Sequence, residues 1–496
     1  MKFLFKEFFF VFVIVMVLIY LIVIMALVNI IGTARERKCV LKKRALEWSL
    51  ALLFSTLVFW GGFDGESHFQ FFSLVEWNIF STLDWGPIVF AVDGVSLVFL
   101  LLTTFLIPIC ILISQKSIKF LFKEFLLCLF FLEFLLIGVF IVFDLLLFYL
   151  FFEGILIPMF FLIGIWGSRE EKVRASFYFF FFTFIGSLFF FFIILFLYQR
   201  IGTTDYFLLL NIKLFLNIQK WALVGVFLSF AVKLPLIPFH IWLPQAHVEA
   251  PVAGSVILAG ILLKLGGYGL LRFSWPLFPG ASLYWSPVIV FFSVVAVVYG
   301  GLMTCRQIDF KRLVAYSSVA HMGLVPLGLF THVIEGLIGA LFLMLAHGFV
   351  SSALFIGVTF LYDRHHTRLI KYYRGLTLTM PLFVITMLIL SLANMGFPLS
   401  CNFVGEFFSL LAVFQYHYGV GMFVILGVLF SAIYSLSLFN RISFGGGSNY
   451  LLFNRDLSRR EIFVIFPFLL IIFLGGIVPF PIIDLIKNSL VFSPVS

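Results

Sequence analysis

The chain has 496 residues, of which 63% are apolar and only 11% charged, with a formal net charge of +9. An ordinary soluble domain carries roughly 25% charged residues. At a mean hydropathy of +1.18 a soluble core is excluded, and an all-α polytopic membrane protein is expected. The 72 phenylalanines read as lipid-facing filler, and the five cysteines show no metal-ligand spacing.

Windows of about 20 apolar residues mark a helix long enough to cross a bilayer. They predict fourteen spans, near 8–31, 46–60, 93–113, 120–142, 144–167, 173–198, 221–243, 251–273, 285–305, 309–330, 335–361, 378–413, 418–440 and 461–480. The first is too long for a signal-peptide core and lacks a small-residue cleavage site, so it is expected to remain as a helix. A tight turn near Phe143 separates the fourth and fifth, and the twelfth is long and interrupted.

Charge orders these spans. The odd-numbered connections, with the span ends that flank them, hold 23 of the 32 Lys and Arg, and the even-numbered ones hold 4. That bias is the positive-inside pattern, and it places both termini on the outer side. The basic runs at 35–38 and 364–374 then set topology, and a nucleic-acid partner is excluded. The connection 61–92 carries Asp64, Glu66, Glu76 and Asp84 with no Lys or Arg, as an outer loop should.

Two spans contain helix breaks. Lys233 is followed by Pro235 and Pro238, and Pro398 interrupts the twelfth span ahead of Glu406. Proline removes a helical hydrogen bond and clashes with the preceding turn. Paired broken helices point to a midplane site between inverted repeats. The expected organisation is three N-terminal helices with an outer loop (1–113), a five-helix repeat broken near 235 (114–273), a second five-helix repeat broken near 398 (274–443), and a fourteenth helix (444–496). A bland alternative is that prolines are common in membrane helices.

Ionisable residues inside the spans are the candidate site. Burying one costs about 2.5–3.5 kcal/mol on insertion scales, so such residues are functional candidates by default. They are Glu153, Lys233, Lys264, Glu406, His321 and His347, with Asp144, Glu133 and His240 as a secondary set. Lysines, carboxylates and histidines together suit a proton wire, because burial brings lysine and glutamate affinities together and histidine titrates between them. Structural ion pairing is the competing reading. No Walker A run is present, and Gly266-Gly267-Tyr268-Gly269 follows a membrane helix rather than a strand, so it reads as packing. His365-His366 has only Asp363 beside it and makes no metal site.

Several of these stretches share a distinctive pattern. They are Asp144 to Tyr149 leading to Glu153, Ala231-Val232-Lys233-Leu234-Pro235, and the run Leu-Pro-Gln-Ala-His-Val-Glu-Ala-Pro at 243–251. The residues from Gly254 to Lys264, Ala315 to Met322, His347-Gly348 and Phe403-Val404-Gly405-Glu406-Phe407 complete the set. Over roughly 90–470 the chain resembles the chain 4 family of antiporter-like subunits of proton-pumping NADH:ubiquinone oxidoreductase, respiratory complex I.

The resemblance implies about fourteen helices in two inverted five-helix repeats with two discontinuous helices. It also implies a proton channel in a redox-driven pump. Glu153 and Lys233 would be the controlling pair, Lys264 the central relay, His321 and His347 the bridge, and Glu406 the outer exit. NADH, FMN, iron–sulfur clusters and ubiquinone would be bound by partner subunits and none by this chain. The partners would be membrane-arm neighbours, including chains 2 and 5, in the mitochondrial inner membrane. Alternatives are an Mrp-type cation/proton antiporter component and a non-conducting scaffold. Gln245 stands where relatives carry an acid, and Leu399 where they carry glycine.

Overall fold

The computed structural model describes residues 19–32, 38–64, 69–75, 88–448, 450–451 and 455–490. The start of the first predicted span, the run Arg35-Glu36-Arg37 and the loop acids Glu66, Glu76 and Asp84 lie outside the described residues.

Every predicted span is met by a helix. They are α1 (Ile19–Gly32), α2 (Lys38–Gly61), α3 (Gly94–Ser117), α4 (Phe122–Ile141), α5 (Leu145–Trp166) and α6 (Lys172–Ile201). The interrupted seventh span is α7 (Leu216–Lys233) and α8 (Trp242–Glu249). Next come α9 (Val252–Leu277), α10 (Pro279–Cys305), α11 (Phe310–Leu329) and α12 (Ile334–His365). The interrupted twelfth span is α13 (Pro381–Asn394) and α14 (Cys401–Tyr416), followed by α15 (Tyr418–Ser443) and α16 (Arg459–Ile477). Nine of the described helices are individually long and apolar enough to cross a membrane.

Three features lay beyond hydropathy. The connection 61–92 reads as loop, yet β1 (Gln70–Val75) and β2 (Ile88–Val92) form an antiparallel hairpin with Ser73 opposite Phe90 and Val75 opposite Ile88. Strand β2 is buried, so its backbone groups need partners, and Phe143 N–H also donates to Val89 O (2.9 Å). Helix α2 begins eight residues before the predicted span, because its charged first turns, with Lys43 and Glu47 paired at 3.9 Å, lie at the polar end. Beyond α16 a helix α17 (Phe480–Leu490) buries Ile486 and Leu490. It rests on the first residue of α3, where a side chain on Gly94 would strike the carbonyl of Leu485.

The odd connections gather at one end of the bundle, the basic face, where they bond to one another. Ser168 N–H donates to Glu249 O (3.1 Å), Phe310 N–H to Arg368 O (2.9 Å) and Ile370 N–H to Ile308 O (3.0 Å). At the opposite face Leu145 N–H meets Thr204 O (3.0 Å) and Tyr206 N–H meets Phe143 O (3.1 Å).

Helices α9 and α12 form the centre. Both are wholly buried along their apolar stretch, whereas most of α6 and α16 faces outward. Small residues let helices close in where no hydrophobic effect drives them together. A side chain on Gly260 would lie 2.9 Å from Ser352 Oγ, and one on Gly348 would lie 3.1 Å from Gly260 O. The approach of α9 and α12 at these glycines sets Lys264 against His347. Gly405 does the same for α14, where a Cβ would lie 2.7 Å from the Leu343 backbone.

Candidate functional site: a line of buried ionisable groups

Each break has a local cause and a polar consequence. Helix α7 ends at Lys233, and the chain runs through Leu234–Pro238 to a 3-10 turn at Phe239–Ile241 before α8. Pro235 and Pro238 cannot donate to the ladder, which frees carbonyls that other groups then use. Val232 O accepts from Trp242 Nε1 (2.9 Å) and Ala231 O from Leu236 N–H (3.0 Å). The second break spans 395–400 and includes Pro398. Gly396 (φ +73°) and Leu399 (φ +75°) are left-handed there. A side chain on Gly396 would run into the carboxylate of Glu406, so this glycine makes room for the acid.

Lys233 does not touch Glu153. Its Nζ lies 3.1 Å from the centroid of the Phe152 ring and donates to Phe152 O (3.0 Å). Glu153 acts on it through space, and the side chain of Ser187 is the polar neighbour of the Glu153 carboxylate. The turn just after Glu153 is irregular at Ile155. Pro158 accounts for this, because it lacks the N–H that Gly154 O would accept.

Lys264 follows a π-helical stretch, Leu258–Leu262, and a second lies at Leu270–Ser274. Such turns leave the helical ladder incomplete and recur at functional sites. The Lys264 ammonium takes the Ala259 carbonyl on its own helix and Nδ1 of His347 (2.9 Å) on α12. The His347 and His321 ring centroids are 5.7 Å apart. His321 Nδ1 lies 3.0 Å from Glu406 Oε1, a contact that is an ion pair only with the histidine protonated. Its Nε2 is 3.1 Å from the Tyr434 hydroxyl. Lys264, His347, His321 and Glu406 come from α9, α12, α11 and α14, and none is more than 4% exposed.

The secondary candidates stand apart. Asp144 caps α5, accepting from Leu147 N–H (2.8 Å) and from Thr204 Oγ1 (2.6 Å), which is a structural task at the opposite face. Glu133 is fully buried on α4 beside Cys110, with neither oxygen hydrogen-bonded among the described residues. His240 lies between the rings of Tyr299 and Tyr316, at 6.4 and 6.2 Å.

Sequence reasoning missed Tyr434 and Asn402. Tyr434 gives no signal in an apolar span, being one aromatic among many. Asn402, fully buried one turn before Glu406 with no partner for its amide, was detectable as a polar residue beside a break. At the basic face a cavity of about 750 Å³ has Lys311, Arg368, Ala250 and Thr359 in its walls. Among the described residues no group of His, Cys, Asp and Glu could hold a metal ion.

Two broken helices flanking a buried Lys–His–His–Glu series define an antiporter-like membrane subunit, and the comparisons agree. The transmembrane family described as NADH:quinone oxidoreductase/Mrp antiporter matches residues 142–433. Chain 4 of NADH-ubiquinone oxidoreductase from Metridium senile is 62% identical over 472 residues, covering 95% of this chain and 96% of that one. The Chondrus crispus counterpart is 48% identical, with 94% of each chain covered. This chain belongs to the NADH-ubiquinone oxidoreductase chain 4 family. Among solved structures, a chain of respiratory complex I from Thermus thermophilus with bound NADH matches with a TM-score of 0.85 and 28% identity, covering 96% of this chain and 99% of that one. A chain of the Mrp complex from a Dietzia species matches equally in fold (TM-score 0.85), covering 97% of each chain, at 16% identity.

Proposed function

We propose that this chain carries a proton-translocation channel as a core membrane subunit of H+-translocating NADH:ubiquinone oxidoreductase. The observation that carries the reading is the run Lys264–His347–His321–Glu406, with a hydrogen bond of 2.9 Å, ring centroids 5.7 Å apart and a contact of 3.0 Å. Each group can take and release a proton, and helix α9 ties the run to the Lys233 break, where Gly266 packs on Leu234. Glu153 acts on Lys233 through space and sets how readily the lysine lets its proton go. Glu406 and the second break form the far gate.

Oxidation of NADH and reduction of ubiquinone take place in partner subunits, which hold the flavin, the iron–sulfur clusters and the quinone. The organisation is two inverted five-helix repeats, 114–273 and 274–443, each with one broken helix. The neighbours are other membrane-arm chains of antiporter type, including chains 2 and 5. The membrane is the mitochondrial inner membrane, with the basic face toward the matrix. An Mrp-type role is disfavoured by identity, 62% to a chain 4 relative against 16% to an Mrp subunit.

The test is Glu153→Gln in membranes holding the assembled complex. NADH-driven proton pumping should fall while assembly is kept. Unchanged pumping and turnover would remove Glu153 from the channel.

A further inference from the structure

The basic-face cavity ends on a helix terminus held from three directions. The last carbonyls of α8 are taken by Arg368 (to Val248 O, 2.5 Å), by Ser168 N–H (to Glu249 O, 3.1 Å) and by Lys311 (to Ala250 O, 2.8 Å). Cations at a helix C-terminus offset its dipole. This accounts for Lys311 and Arg368 as caps. It leaves His247 on the same helix without an explanation.

His247 is fully buried and stacked on Phe355, with centroids 4.6 Å apart and planes within 6°. Among the described residues neither ring nitrogen has a hydrogen-bond partner. The registers of three helices place this ring between the cavity and Lys264. On α8, His247 lies one turn inside Ala250, which lines the cavity. On α12, Phe355 lies one turn inside Val358 and Thr359, which also line it. On α9, Ser255 sits one turn inside Val252, a further lining residue, and its hydroxyl donates to His247 O (3.2 Å).

From the other side, the Lys264 ammonium reaches back along α9 to Ala259 O. Ser255 and Ala259 are four residues apart, about 6 Å along a helix. The charged groups acting on the ring are Lys311 from α11 and Lys264 from α9, and the ring in turn acts on His347 from α12. None of these groups is a carboxylate.

We propose that His247 is the relay that admits protons from the basic-face cavity to Lys264. One ring nitrogen takes a proton from the cavity, giving an imidazolium. The other nitrogen releases a proton to Lys264 in its amine form. The ring is then neutral again, in the other tautomer, and Lys264 has gained one proton. The proposal rests on the channel reading above.

The experiment uses the assembled complex with His247→Ala. Removing the ring opens a space beside Phe355, one turn from the cavity lining at Val358 and Thr359. Pumping should fall about tenfold or more, and added imidazole should restore it, whereas pyrrole, which has no acceptor nitrogen, should not. Unchanged pumping in His247→Ala, or in His247→Phe, which keeps the stack, would overturn the relay. So would a loss that imidazole leaves unrestored. If neither variant assembles, Thr359→Phe puts a ring into the cavity from one of its lining residues and leaves His247 in place. It should slow pumping, and normal pumping there would overturn the proposal. Lys264→Ala separates the two levels: pumping lost there but kept in the His247 variants rejects only the relay, and pumping kept in both rejects the channel.

Discussion

The ammonium of Lys264 and the imidazole of His347 share a 2.9 Å hydrogen bond at the centre of the bundle, and among the described residues neither has a carboxylate partner. A buried ammonium without a counter-ion is costly, so Lys264 is held by a histidine nitrogen and one backbone carbonyl alone. An arginine at 264 would keep the charge but would not release its proton at any ordinary pH. Lys264→Arg should therefore assemble yet lose proton pumping and coupled turnover by roughly a hundredfold, the scale of one acid–base group. Pumping driven by NADH in sealed membranes, normalised to complex content, is the measurement.

Gly396 and Glu406 give a second expectation. The glycine has φ +73° and its missing side chain leaves the space the carboxylate fills. Gly396→Ala should cost about 1–3 kcal/mol through backbone strain and displace the acid from His321. Pumping should fall as far in Gly396→Ala as in Glu406→Gln, although the alanine removes no ionisable group. Pumping at parent level in the alanine variant would show that Glu406 needs no fixed seat.

Leu399 offers a change in the stabilising direction. It is left-handed at φ +75°, which costs a non-glycine residue about 1–2 kcal/mol, and its side chain is 57% exposed. Leu399→Gly should remove that strain and raise the thermal midpoint of the complex with pumping unaltered. A lower midpoint would mean that stiffness at the break outweighs the strain.

Arg272 and Asp93 tie α9 to the start of α3 with a buried ion pair at 2.5 Å. Losing one partner of such a pair costs about 3–5 kcal/mol. Arg272→Met should reduce assembled complex sharply. Asp93→Asn in the same chain keeps the cap that the Asp93 side chain gives Ser96 N–H (2.9 Å) and removes the orphaned charge. The double variant should recover much of the assembly, read as complex content on native gels.

The fold was legible because a bilayer demands long apolar helices, and every predicted span is met. The polar residues in them were legible for the same reason, since Lys233, Lys264 and Glu406 interrupt apolar runs. What the sequence hid was contact. Glu153 and Lys233 read as a pair, but the ammonium sits on the ring and carbonyl of Phe152, and Glu153 acts on it through space. Asp144 reads as a charge near the site and proves to be a cap. Tyr434 meets His321 from a helix more than a hundred residues away, and no local pattern marks that meeting. Strand β2 was hidden because apolar alternation is lost where residues on both faces are buried.

The two π-helical stretches of α9 make the length of this helix part of its design. Each additional residue in a helical turn rotates everything beyond it by about 100°. Lys264 lies after the stretch at Leu258–Leu262 and before the one at Leu270–Ser274. Inserting one more residue ahead of Lys264, where the first stretch already carries an extra one, would leave the hydropathy of the helix unaltered. It would also swing the lysine more than a quarter turn away from His347. An indel here, which looks harmless when identities are counted, disconnects the line completely, whereas many conservative substitutions in the same segment leave it whole.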